Sequence, residues 1–191
     1  MRKLKSEIIQ QAVARLCIQA NTRLRLDVLY ALKQAYRKEE KAMAKGALGA
    51  IIQNAAVARE EGLAICQDTG LPYIFVELGD KLTITGNLNM AINKGVELGY
   101  KNGYLRNSVI NDPLHRKNPG YSPVIIHLDL VKGSKLRLTV FPKGFGCENK
   151  SRLKMFLPTA NISDIKQFVV DCVKGADSDA CPPYIVGVGI G

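Results

Sequence analysis

The hydrophobic period of this chain changes at Gly62, and a switch from helical to strand spacing is the strongest constraint a sequence places on its fold. Upstream, apolar residues recur every three or four positions. Leu4, Ile8, Ile9, Ala12, Val13, Leu16 and Cys17 draw one stripe, and Val28, Leu29, Leu32, Ala35 and Tyr36 draw a second that ends in the charged run Arg37-Lys38-Glu39-Glu40-Lys41. Leu48, Ile51, Ile52, Ala55 and Ala58 draw a third, stopped by Gly62 as a C-cap. Residues 1–62 are therefore predicted to be helical. A thiol on such a stripe is a small core side chain, which is the reading given to Cys17.

Downstream the period changes. Tyr73–Leu78, β-branched and aromatic and closed by Gly79-Asp80, predicts a buried strand. Leu88–Lys101 returns to helical spacing. Val124–Leu130 and Leu136–Phe141, joined by Lys132-Gly133-Ser134-Lys135, predict a hairpin, with His127 a structural residue inside its first strand. Ser163 is placed to cap a last helix ending at Gly175, with Ile165, Phe168, Val169, Cys172 and Val173 on one face, so Cys172 also reads as core. Tyr184–Gly191 predicts a strand that breaks into glycines. The expected class is α/β (mixed α+β): one domain over 1–191, its helical N-terminal layer (1–62) packed on a mixed sheet in an α/β core (63–191). A glycine-rich turn after a buried strand normally hands over to a helix. On that ground the chain is expected to be truncated at its C-terminus or completed by another chain.

Composition removes several function classes. Hydrophobic residues at 47% and charged residues at 23% of 191 are globular values, not those of a disordered or fibrous chain. No apolar run reaches the roughly 18 residues of a membrane span, and Met-Arg-Lys-Leu-Lys opens no signal peptide, so a cytoplasmic chain is expected. The excess of 27 basic over 17 acidic residues, net +10, attracts small anions such as carboxylates. Aromatics are not interleaved with the basic residues, so nucleic acid is not an expected partner. Five cysteines without a CxxC pair argue against a disulfide framework, and two histidines argue against a His-rich zinc site.

Four polar turns beside apolar runs remain: Cys66-Gln67-Asp68-Thr69-Gly70, Tyr104-Leu105-Arg106-Asn107-Ser108, Pro142–Lys150 and Cys181-Pro182-Pro183. Thiolates are soft ligands for iron–sulfur clusters and zinc, so Cys66 and Cys181 are candidate metal ligands. Pro182 is expected to restrict Cys181 to extended backbone. Asp68-Thr69-Gly70 alone also reads as an Asx turn, and Arg106 alone as a solvated surface group.

In this order and spacing the four segments, with Ala12–Ile18, Ala58–Gly62 and Ile185–Gly191, closely resemble the N-terminal part of the class I, iron–sulfur-dependent fumarate hydratases, specifically the alpha subunit of the two-subunit form. The resemblance covers nearly the whole chain. It implies reversible hydration of fumarate to malate on a [4Fe-4S] cluster held by three cysteines, with one open iron as Lewis acid. It further implies Cys66 and Cys181 as two ligands, Asp68 as the acid–base carboxylate, Gln67 and Arg106 as substrate-contacting groups, and Gly146 as a backbone contact to substrate. The third cysteine, a histidine partner for the acid, and a beta subunit or C-terminal domain would complete the site, and dimerisation is the family's habit. Two departures stand out. Cys147 lies where fumarases more often carry serine and the related tartrate dehydratases can carry cysteine. Asn118-Pro119-Gly120-Tyr121-Ser122-Pro123 is one residue shorter than the family's usual loop. A tartrate dehydratase alpha subunit is the alternative enzyme reading, a noncatalytic remnant that binds a partner subunit the alternative of another class, and a zinc module a third.

Overall fold

A computed structural model describes residues 2–191, which fall into two compact units, one ending at Pro142 and the other spanning Lys143–Gly191. Both units mix helix with irregular chain, and the sheets lie in the first; the class is α/β, as expected.

The first unit is built on strand β2 (Leu71–Gly79) and helices α1 (Ser6–Thr22) and α4 (Leu88–Asn102). Pro72, Ile74 and Val76 alternate onto the buried face of β2, where Ile74 and Val76 join Ile9, Val13 and Cys17 of α1 and Ile92, Val96 and Tyr100 of α4 in one core. Each fully buried Ile or Val side chain there contributes about 1.5–3 kcal/mol. Glycine decides how close the helices come. A Cβ at Gly95 would sit 2.7 Å from the Gln10 carbonyl oxygen and one at Gly99 2.6 Å from that of Ala14, so α1 and α4 pack backbone to backbone. The other face of β2 is open. It carries Phe75, stacked on the exposed His127 ring at 5.0 Å, with Tyr73 stacked beyond it at 6.2 Å.

The sheet order is β4-β2-β5, with β4 (Ile125–Val131) parallel to β2 and β5 (Leu136–Lys143) on its other side. This corrects the expected hairpin: β4 and β5 do not pair with each other but straddle β2. The Val131–Lys135 connection crosses the end of the central strand, where Asp80 N–H donates to Val131 O (2.8 Å), Lys81 N–H to Gly133 O (2.8 Å) and Gly79 N–H to Lys135 O (2.9 Å). Gly79 must be glycine, because a Cβ there would lie 2.4 Å from Gly133 O.

One short strand departs from the helical reading of residues 1–62. Arg2–Lys5 is strand β1, paired in parallel with β3 (Leu82–Thr85), so Leu4 enters the core from a strand rather than a helix. Helices α2 (Leu26–Lys38) and α3 (Ala42–Glu61) stand as predicted, and α3 ends on Gly62 at φ +71, whose N–H donates to Ala58 O.

In the second unit, α6 (Ile162–Ala176) starts one residue before Ser163. Its cap is Asn161, whose side chain accepts from Asp164 N–H (3.1 Å) while Asp164 accepts from Asn161 N–H (3.0 Å), a reciprocal box that satisfies two backbone donors. Gly175 lies inside this helix and does not end it. Phe168 packs edge-on against Phe156 at 5.9 Å, and Lys154 lies over both rings. Tyr184–Gly191, predicted as a strand, is irregular and mostly exposed, because no neighbouring strand of this unit pairs with it. Among the described residues no helix is long and apolar enough to cross a membrane.

Candidate functional site

The Cys66–Gly70 turn leaves α3 and enters β2, and almost every polar group along it has a named partner. Ile65 N–H donates to Asn21 O (2.9 Å), and Ile65 O accepts from Asn54 Nδ2 (2.8 Å). Asn21 is itself buried, with Nδ2 donating to Cys17 O (2.9 Å). The Cys66 thiol is exposed; it donates to Gln67 Oε1 (3.2 Å) and accepts from Asp68 N–H (3.5 Å). Asp68 Oδ1 accepts from Gly70 N–H (3.1 Å), which makes the Asx turn, and Gly70 at φ +69 supplies the left-handed residue that closes it.

Thr69 is the buried pivot, only 4% exposed. Its carbonyl accepts from the Tyr100 hydroxyl (2.8 Å), and its own hydroxyl oxygen accepts from Arg106 N–H (3.0 Å). The structure therefore brings Cys66, Gln67, Asp68 and Arg106 to one place on the first unit, with the Arg106 side chain exposed beside the turn. Sequence reading passed over Thr69 and Tyr100. Thr69 was hidden inside a turn signature and Tyr100 on a helical stripe, and the contact spans 31 residues.

Burial sets the ionisation behind the turn. The Cys17 thiol, wholly enclosed by α1 and its neighbours, is pushed up to about 12 by desolvation, so it stays a neutral core group. Tyr100 is raised well above the ordinary phenol range, first by burial and then by the negative potential a Cys17 thiolate would add. Both therefore remain protonated supports.

The loop after Arg106 closes on itself at Val109 and Gly120, bonded by Val109 N–H to Gly120 O (3.0 Å) and the reverse pair (2.7 Å). Asn107 Nδ2 reaches Pro119 O (3.4 Å). Within the loop His115 Nδ1 meets Asp112 Oδ2 at 2.5 Å, and that hydrogen bond holds the Asp112 carboxyl below its ordinary value.

Cys181, Cys147 and Gly146 lie on the second unit. The segment after Gly144 and the 3₁₀ turn Asp177–Ala180 are clamped together: Cys147 Sγ donates to Ala180 O (3.2 Å), Lys150 Nζ pairs with Asp179 (2.6 Å), and a Cβ on Gly146 would lie 3.1 Å from Asp179 O. Gly146 thus has a packing reason to be glycine. Cys181 is exposed and left-handed, at φ +55, with its N–H donating to Ser178 O (3.0 Å). This corrects the extended backbone expected before Pro182, since closing the 3₁₀ turn outweighs the proline's preference. A non-glycine residue in that region costs about 1–2 kcal/mol.

A loop-borne acid, amide, guanidinium and exposed thiol on a two-unit α/β scaffold define the class of arrangement, and sequence comparison supplies the family. The family model described as Fumarate hydratase (Fumerase) matches residues 10–191, and the chain belongs to that family of hydro-lyases. It is 35% identical over 191 residues to a Methanocaldococcus jannaschii protein named "Putative L(+)-tartrate dehydratase subunit alpha", covering 96% of this chain and 67% of the relative. It is 28% identical over 186 residues to the L(+)-tartrate dehydratase subunit alpha of Escherichia coli strain UTI89 and 27% to that of strain K12, covering 95% of this chain and 61% of each. The chain spans roughly two thirds of the length of the curated relatives it matches.

Proposed function

We propose that this chain supplies the acid-bearing and substrate-gripping loops of a two-part hydro-lyase that interconverts fumarate and malate on a [4Fe-4S] cluster. The observation that carries the reading is the Thr69 hydroxyl bond, which seats Arg106 beside Gln67 and Asp68. Arg106 then grips a substrate carboxylate with its planar fork. Gln67 donates a side-chain N–H to the same dianion. Asp68 takes the proton from the carbon next to a carboxylate as malate loses water, and returns it in hydration. Gly146 contributes a backbone contact to the substrate.

The donor chemistry fits a cluster in part. Cys66 and Cys181 are exposed soft thiols on hydrogen-bonded turns, while Cys17 is sealed in the core. Among the described residues no three His, Cys, Asp or Glu side chains converge. Cys66 and Cys181 would each hold one iron, and a third thiolate would come from sequence outside these residues. When bound, the cluster supplies a Lewis acid that polarises the departing hydroxyl. A beta subunit completes the site; relatives named as alpha subunits support that reading.

The printed names of those relatives favour a second substrate, L-tartrate, handled by the same groups. Anaerobic reconstitution of this chain with its partner, followed by assays with fumarate, malate and L-tartrate, tests both. Turnover of fumarate and malate is expected. Turnover of tartrate alone would reassign the substrate, and turnover of none would remove the reading.

A further inference from the structure

The hydrogen bonds around Thr69 close a circuit. The Tyr100 hydroxyl donates to Thr69 O (2.8 Å), Arg106 N–H donates to Thr69 Oγ1 (3.0 Å), and Leu105 N–H donates to Tyr100 O (2.8 Å). Three segments meet in it: the turn bearing Asp68, helix α4, and the loop bearing Arg106. Tyr100, 2% exposed, is the fixed member, because its ring is locked among Ile74, Val96 and Leu105 in the core. Thr69 is the hinge pin, bonded through its backbone to α4 and through its side chain to the arginine loop.

Two features show how much depends on that pin. Tyr104, just before the arginine loop, is left-handed at φ +53 and almost wholly exposed, so it provides no packing anchor. The backbone around Arg106 is instead fixed by the buried Leu105 side chain and by the hydrogen bonds at Leu105 and Arg106. The Asp68 turn is in turn fixed by the Tyr100 bond on the residue that follows it.

We propose that Thr69 is a positioning residue that sets the distance between the Asp68 carboxyl and the Arg106 guanidinium, with Tyr100 as its strut; this rests on the hydro-lyase reading given above. Thr69, buried at 4% exposure, acts through the neighbours it bonds rather than on the substrate. The Thr69 hydroxyl accepts from Arg106 N–H on a side chain small enough for an enclosed site. Serine keeps that acceptor. Valine keeps the shape and removes it, stranding a backbone donor at a partly buried point.

The test uses Thr69→Val and Thr69→Ser in the complex with the partner subunit, together with amide hydrogen exchange at Arg106 in this chain. Thr69→Val is expected to raise KM for malate about tenfold while kcat stays within about threefold, because the carboxylate grip is displaced more than the acid. It is also expected to speed exchange of the Arg106 amide about tenfold or more, with Thr69→Ser restoring both readouts. Equal damage from valine and serine overturns the proposal in favour of packing. Unchanged KM in an active complex overturns it as well. If the unmodified complex shows no hydro-lyase turnover, the function reading fails, and exchange decides the positioning claim by itself: undisturbed Arg106 protection in Thr69→Val overturns it.

Discussion

Two exposed thiols sit on turns of opposite construction. Cys66 rides on a turn whose backbone is fastened to buried groups at Asn21 and Tyr100, whereas Cys181 follows a short 3₁₀ turn in a strained, left-handed conformation. The first is held by a core that exists for other reasons. The second is held by local hydrogen bonds in a small unit whose buried apolar residues are Ala176 and Ala180. The Cys66 turn is thereby tied to a buried core, and the Cys181 turn is held by its own local hydrogen bonds.

The largest blow to that contrast is Tyr100→Ala. Removing an enclosed aromatic ring costs about 3–5 kcal/mol and frees Thr69 O. Maleimide labelling should then speed up at Cys66 and not at Cys181. Equal acceleration at both would show that the two turns share one support. Tyr100→Phe, which deletes only the hydroxyl, should do the same at a cost of about 1–3 kcal/mol.

Alkaline pH probes the same core more gently. Cys17 keeps its proton to about 12 when folded but loses it near 8.5 when unfolded, so the unfolded state binds fewer protons in that interval. Stability present below about pH 8.5 is therefore lost as pH rises toward 12, at up to about 1.4 kcal/mol per pH unit. Urea melts of the unmodified chain and of Cys17→Ala at several pH values measure it. The variant should show the shallower decline, and identical slopes would mean that Cys17 ionises freely in the fold.

The smallest expected effect falls on the second turn. Cys181→Gly relieves a left-handed side chain while loosening the unfolded chain, so the net change should be stabilising and no more than about 1 kcal/mol. A clear loss of stability would show that the Cys181 side chain anchors its turn.

Much of this was legible beforehand, for physical reasons. Helices α1 to α4 announce themselves by repeating stripes, and the Asx turn at Asp68 is encoded within three consecutive residues. What was lost is non-local. Nothing in Arg2-Lys3-Leu4-Lys5 alternates strongly enough to declare a strand; its fate is fixed by β3. The hairpin expected from neighbouring strands gave way because β2, already apolar on one face, takes the place between them. The candidate site residues Cys66, Gln67, Asp68 and Arg106 are proposed from motif order, but the hydroxyl that joins their loops is not, since its partner lies 37 residues on.

The pairing of β1 with β3 also bears on synthesis. Arg2 must wait for Leu82, and a ribosome adding about 5–20 residues per second needs roughly 4–16 seconds to deliver it. During that interval α1 has emerged, while α4, which will cover its apolar stripe, has not. The nascent chain therefore spends seconds with Ile9, Val13 and Cys17 uncovered, a window in which a holdase chaperone has its best binding target and crowded neighbouring chains their best chance to aggregate.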